Sequence, residues 1–305
     1  MRSVEWNIES YLTYVSTIRN LSDATVAAYA GDLRSFAAWL DREEPDSTCV
    51  SADTGCLRRY VASLSRRNAS VASINRVIST LRGFFRFLVE RGVRSDNPTD
   101  GVRNLKKGRH LPEFLFAEEI ERILGFRGHD FAAVRDRLLL EILYSTGCRI
   151  SELINVDLSD VRFKRKSILV HGKGRKDRVV FLGGSAHDTL EEYVPLRAAL
   201  VHSKATTGEQ ALILNQNGTR LTQRGAAMII HKRAVDAGLA KKVSPHTFRH
   251  SFATHILDAG ADIRVVGELL GHANISTTQI YTHVGLGKLK RIYEQAHPHG
   301  GERRR

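Results

Sequence analysis

The sequence predicts a mainly α fold in two helical domains, the second carrying one small β-hairpin. Three observations lead there. Apolar residues recur at three- and four-residue steps through the first third of the chain; a stretch rich in glycine, proline and charge breaks that rhythm between Gly92 and Pro112; and two β-branched runs flank a glycine-lysine turn near Lys173. Val26, Tyr29, Leu33, Phe36 and Leu40 follow Ser22, a good N-cap, and share one face of a helix. A second helix follows Ser70, with Ile74, Val77, Leu81, Phe84 and Leu88 inward and Asn75, Arg76, Ser79, Arg82 and Arg86 on the other face. That basic face is either a solvated surface or a place where phosphates are met.

From Gly92 to Pro112 the chain shows turn residues and charge without periodicity, which predicts a linker carrying Lys106, Lys107 and Arg109. Helices are expected over Ala117–Leu124 and Val134–Tyr144, the second leading into Arg149, with Glu152 one turn further on where it can orient the guanidinium. The β region is Ser167–Val170 and Arg178–Leu182, around the tip Gly172-Lys173-Gly174-Arg175-Lys176-Asp177. Ser244-Pro245 opens a helix that puts His246 in its first turn and Arg249 one turn later on the same face. The helix Ile263–Leu270 stops at Gly271, and a short helix starting near Ser276 carries Tyr281. A last stripe, Leu289, Ile292, Tyr293 and Ala296, follows two glycines, Gly285 and Gly287, able to act as a hinge.

At 305 residues the chain is long enough for two domains that each bury a core. A net charge of +13 and a pI near 9.9 call for a polyanionic partner. DNA, RNA and an anionic membrane satisfy that charge equally. No apolar run approaches the roughly 20 residues that span a bilayer, and the opening residues lack a secretory apolar region, so a cytoplasmic protein without membrane association is expected. Cys49, Cys56 and Cys148 are odd in number and lack metal-ligand spacing, which argues for reduced thiols, Cys148 as a small buried residue.

Chemistry concentrates in Thr146-Gly147-Cys148-Arg149-Ile150-Ser151-Glu152-Leu153, Ser244-Pro245-His246-Thr247-Phe248-Arg249-His250, Leu270-Gly271-His272 and Tyr281. Two guanidinium forks match the charge that develops on the non-bridging oxygens of a phosphodiester under attack. A tyrosine hydroxyl is a weak nucleophile until such a field and a nearby acceptor activate it. The departing sugar oxygen needs a proton, which a lysine on a hairpin can supply, although composition leaves Lys173, Arg175, Lys176 and Arg178 equivalent for that role. His246 and His250 stand at a spacing able to hold zinc, but no general-base glutamate lies between them and Arg249 would repel the metal. His272, a lone histidine after a helix stop, reads by itself as structural.

These elements resemble, in order and spacing, the tyrosine recombinase (phage integrase) family, and are most similar to the bacterial Xer chromosome-dimer resolvases. The likeness rests on the segment 146–153, the hairpin around His171-Gly172-Lys173-Gly174, His246-x-x-Arg249, Leu270-Gly271-His272 and Tyr281, and extends to Arg82-Gly83-Phe84-Phe85 and Asn97-Pro98. It implies an N-terminal SAM-like core-binding domain over 1–91, a linker over 92–111, a catalytic domain over 112–297 and a tail over 298–305, the two domains closing on DNA as a C-shaped clamp. It implies Tyr281 as nucleophile, Arg149 and Arg249 as clamp, Lys173 as acid, His246 as general acid/base and His272 bonded to the scissile phosphate, with no metal or cofactor.

Arg76, Arg82, Lys106, Lys107, Arg175 and Lys176 are then expected at DNA, as is Arg178. The implied partners are a double-stranded recombination site, a tetramer of identical subunits or with a paralogous recombinase, and a DNA translocase at the septum. The C-terminal stripe is expected to insert into a neighbouring subunit. The implied activity is strand exchange through a 3′-phosphotyrosine and a Holliday junction, resolving chromosome dimers at cell division. A mobile-element integrase or a nicking-closing topoisomerase would use the same residues, and a non-catalytic architectural protein would be equally basic and helical.

Overall fold

A computed structural model describes residues 2–106, 113–172, 177–271 and 283–299. The chain divides into two compact units, Met1–His110 and Leu111–Arg305. The first is built from α1 (Arg2–Thr17), α2 (Asp23–Glu43), α3 (Thr54–Arg66) and α4 (Val71–Glu90). The predicted apolar faces of α2 and α4 are the ones buried: Leu33, Phe36 and Leu40 from α2 meet Ile74, Leu81, Phe84 and Leu88 from α4 in one cluster with Trp39 and Tyr60. Each such side chain contributes roughly 1.5–3 kcal/mol when fully removed from water. Ser70 caps α4 by accepting from the Ser73 amide at 3.1 Å, so the start read from the sequence has its physical cause in place.

The segment read as a linker is folded onto the first unit for much of its length. Pro98–Gly101 forms a 3-10 turn, the Thr54 hydroxyl donates to the Pro98 carbonyl at 2.8 Å, and the Asn75 side chain clasps the Leu105 backbone with two bonds of 2.9 and 2.8 Å. Val102 is buried in the core and Leu105 packs against it. These contacts are made by backbone groups and two isolated apolar residues, which carry no period.

The second unit is organised around α6 (Phe131–Thr146), whose Leu138, Leu139, Leu140, Ile142, Leu143 and Tyr144 are all at most 1 % exposed. Around it lie α5 (Ala117–Leu124), α7 (Ile150–Ile154), α8 (Gly184–Ser203), α9 (Gln223–Asp236), α10 (Pro245–Asp258), α11 (Ile263–Leu270) and α12 (His283–Ala296). A three-stranded antiparallel sheet, β1 (Val161–Arg162), β2 (Ser167–Val170) and β3 (Arg178–Phe181), has the order β1-β2-β3, and the β2–β3 register pairs Val170 with Arg178.

The C-terminal stripe packs within its own chain: Tyr293 and Ala296 of α12 join Phe252 and Ile256 of α10 and Val266, Leu269 and Leu270 of α11. This differs from the expected insertion into a neighbour. An aromatic ring on a short terminal helix finds apolar partners on α10 and α11 at once, without an assembly. No helix among the described residues is long and apolar enough to cross a membrane.

Candidate active site

The site begins where α6 stops. Gly147 takes the left-handed conformation (φ 57°) that ends the helix, and a Cβ there would come within 2.5 Å of the Phe252 ring, so only glycine fits. The turn aims the Gly147 carbonyl at α10, where it accepts from Arg249 Nη1 at 2.7 Å, while Arg249 Nη2 donates to the Leu270 carbonyl at 2.8 Å. One guanidinium thus ties together the ends of α6 and α11.

Two residues later Arg149 stands at the N-cap position of α7, and Glu152 reaches back to its amide. The Glu152 carboxylate accepts from the Arg149 amide (2.8 Å), Arg149 Nη1 (2.9 Å), Arg178 Nη1 (2.9 Å) and Arg178 Nη2 (2.9 Å). Four donors fill the four lone-pair positions a carboxylate has. Burial alone would raise its pKa; the bonds from Arg178 and Arg149 overcome that and hold it at about 2. Glu152 therefore orients Arg149 as expected, and it does so from a buried position while the Arg149 side chain remains 46 % exposed.

Arg178 corrects the sequence reading. Placed among the DNA-holding residues of the hairpin, it is instead buried, bidentate on Glu152, and donates from Nε to the Leu269 carbonyl at 3.3 Å. The period of the strand carried the signal: Arg178 and Val180 share a face, and Val180 is core.

Burial first, and then the charges of Arg149 and Arg178, pull the Arg249 guanidinium down to about 10, still ionised at neutral pH. Three guanidinium groups act on one carboxylate, so two positive charges are left over at a partly open position. Such an excess is the electrostatic complement of a phosphate, and a Lys-for-Arg exchange would lose the fork geometry that holds it.

His246 is exposed in the first turn of α10, the helix that carries Arg249, behind the Ser244–Thr247 capping box. His250 stands edge-on to Phe114, and His255 Nδ1 meets the Tyr144 hydroxyl at 2.9 Å, so both are packing and hydrogen-bonding residues. His171 spans the base of the hairpin between Asp177 (3.1 Å) and Asp160 (3.4 Å), and its hydrogen bond to Asp177 raises its pKa. Cys148 is fully buried, and burial pushes its thiol up to about 11, which removes it as a nucleophile. Burial pushes the Tyr293 hydroxyl well above the ordinary tyrosine value, and the ring is 2 % exposed, so this rival nucleophile is a core residue.

Lys173, Arg175, Lys176, His272 and Tyr281, with Lys107 of the linker, lie outside the described residues. In the first unit, Arg76 is tied to the buried Asp32 at 2.5 Å, Arg82 donates to the Val102 carbonyl at 3.1 Å, and Lys106 is exposed.

A profile of the phage integrase family matches residues 113–286, and one of the phage integrase N-terminal SAM-like domain matches residues 8–92. The chain belongs to the phage integrase family, the tyrosine recombinases. Within it, the chain is similar over nearly its full length to the tyrosine recombinase XerD of Oceanobacillus iheyensis, with 38% identity across 97% of this chain and 99% of that protein. It is likewise similar to the tyrosine recombinase XerC of Treponema denticola, with 40% identity across 95% and 98%. Among solved structures, XerH bound to a palindromic difH substrate in a post-cleavage complex matches with a TM-score of 0.69 and 25% identity, covering 90% of this chain and 80% of that one.

Proposed function

We propose that this chain is a site-specific DNA recombinase that cuts and rejoins duplex DNA through a covalent phosphotyrosine, in the manner its Xer relatives' names describe. The observation that carries the reading is the under-neutralised cluster of Arg149, Arg178 and Arg249 around the saturated Glu152 carboxylate. Arg149 and Arg249 would meet the non-bridging oxygens of the scissile phosphate, where charge grows in the transition state.

Tyr281 Oη attacks phosphorus and a Tyr281–phosphorus bond forms as the bond from phosphorus to the 5′ sugar oxygen breaks. His246 takes the phenolic proton, Lys173 gives one to the departing oxygen, and His272 bonds the phosphate. The 3′-phosphotyrosine retains the energy of the broken linkage, so attack by a DNA hydroxyl reverses the step without ATP, and no metal or cofactor is required.

The substrate is a double-stranded recombination site held by four subunits through a Holliday junction, identical or paired with a paralogue, with a septal DNA translocase as activating partner. The role is resolution of chromosome dimers in the cytoplasm at cell division. The domain assignment is 1–91 for core binding, 92–111 for the linker, 112–297 for catalysis and 298–305 for the tail. Arg76, Arg82, Lys106, Lys107, Arg175 and Lys176 hold the duplex backbone.

The test is trapping on nicked DNA. Wild-type protein is expected to form a detergent-stable adduct, and Tyr281→Phe to keep DNA binding while losing it. An undiminished adduct with that variant would place the nucleophile elsewhere. Religation to the original strand alone would make the enzyme a nicking-closing topoisomerase.

A further inference from the structure

Arg178 has no step of its own in the chemistry above, yet from β3 it binds two other elements of the site's framework, α7 through Glu152 and α11 through Leu269. It opens β3 at the position paired with Val170, so it belongs to the hairpin that carries Lys173 five residues earlier in sequence. Its two terminal nitrogens fill half of the acceptor positions on Glu152, whose other half orients Arg149 through its backbone and its side chain. Its Nε holds the Leu269 carbonyl, next to the Leu270 carbonyl that Arg249 holds.

Gly271, with φ 68°, lies against the guanidinium so closely that a Cβ would meet Arg178 Cδ, Nη1 and Cζ at 3.1–3.2 Å. His272 follows in sequence. The side chain is 5 % exposed, so it has no face left for DNA.

Resting on the recombinase reading, we infer that Arg178 is a positioning residue of the active site: one buried fork sets Glu152, and through it Arg149, in register with strand β3 and the turn at Leu269–Gly271 before DNA arrives. The geometry explains why an arginine is needed. A planar fork reaches both carboxylate oxygens while its third nitrogen turns to a carbonyl on another element, and an ammonium group presents no such set of directions. Without the fork, Glu152 has two empty acceptor positions and draws more strongly on Arg149, pulling the clamp towards the protein and away from the phosphate.

Arg178→Lys keeps the buried positive charge beside Glu152 and removes the fork. Single-turnover cleavage of nicked DNA separates the fraction of protein that reacts, read as amplitude, from how fast that fraction reacts, read as rate constant. The expected result is near wild-type amplitude and DNA affinity with a rate constant lower by about 10²-fold, the scale of an ångström-level misplacement of reacting groups. Arg178→Ala should be slower still. Replacing the bridging 5′ oxygen with sulfur, which scarcely needs protonation on departure, should recover only the share of the loss that runs through Lys173 and leave a residual defect from Arg149.

A lowered amplitude with an unchanged rate constant would overturn the inference, because Arg178 would then only hold the fold. Loss of the cooperative melt in Arg178→Lys would overturn it in the same way. Wild-type adduct serves as the standard in the same experiment: its absence fails the recombinase reading itself, whereas wild-type adduct with an undiminished Arg178→Lys rate fails this assignment alone.

Discussion

Among its described residues the second unit holds two buried carboxylates gripped by arginines, and they are finished differently. Asp136 on α6 takes Arg135 Nε at 2.7 Å and two bonds from Arg233 at 2.9 and 2.7 Å; Arg233 also lies 3.8 Å from Asp236 and stacks 4.0 Å over the Phe126 ring. Two guanidinium groups face two carboxylates, both arginine side chains are at most 14 % exposed, and the account closes. At Glu152, two guanidinium groups bind one carboxylate, a third, that of Arg249, lies within its field, and Arg149 reaches into solvent. A charge-balanced network whose arginines are buried is a brace; an unbalanced one with an arginine half in solvent awaits an anion.

The largest effect that distinguishes them is on stability. Asp136→Ala strands two buried arginines and should cost about 3–5 kcal/mol of folding stability, read by denaturant titration. The rate constant of the protein that remains folded should not change. Arg149→Ala and Arg249→Ala invert that pattern: cleavage should fall by about 10²–10³-fold, roughly 2.7–4 kcal/mol of transition-state stabilisation. DNA affinity should change much less. If Arg149→Ala lost as much stability as Asp136→Ala, or binding fell in step with cleavage, the contrast between brace and clamp would collapse.

A third carboxylate, Asp32, sharpens the comparison. It is held by Arg76 and by the Thr80 hydroxyl at 2.9 Å, so it resembles the brace, although Arg76 is half exposed like the clamp. Arg76→Ala should cost about 1–3 kcal/mol of stability through the weakened Asp32 site. A further loss of DNA affinity that becomes smaller at high salt would show that Arg76 also meets phosphate. No change in the salt dependence would confine it to the brace.

The smallest expected effect concerns His297, where burial first, and then the neighbouring His299, depress the imidazole to about 3. Its Nε2 meets the Tyr144 carbonyl at 3.2 Å and its ring stacks on Tyr293 at 5.1 Å. The groups facing it are His299, itself 3.4 Å from Glu141, with Tyr144 and His255. Between about pH 3 and 6.5 the unfolded chain binds a proton that the docked one refuses, so the stability of this C-terminal packing is full above about 6.5 and falls with acid, by about 1.4 kcal/mol per unit. Hydrogen exchange in α12 should rise from pH 7.5 to 5.5, and His297→Gln should flatten that dependence. Exchange that rises equally in both proteins would place the titrating group elsewhere.

Much of this was legible from the residues, for identifiable reasons. The faces of α2 and α4, the Ser70 and Ser244 caps and the Gly271 stop follow from local rules, and local rules are what a sequence displays. The packing of residues 98–105 on α4 was hidden because a side-chain amide and backbone carbonyls make it. The burial of Arg178 was overlooked because a basic residue at a hairpin reads as surface, although the strand period places it on the core face of Val180. Glu152 was legible as a helper of Arg149, whereas its second arginine, contributed from β3, is visible only in three dimensions.

The saturation of Glu152 has a thermodynamic consequence. Because the carboxylate has no lone pair to spare, the two surplus charges beside it meet no second carboxylate among the described residues, and the repulsion between them is what a well-fitting anion relieves. By mass action, whatever binds the folded site and not the unfolded chain raises the melting temperature with concentration. Inorganic phosphate in the storage buffer would thus act as a weak folding ligand. Cleavable DNA and thermal stability become two readings of one equilibrium.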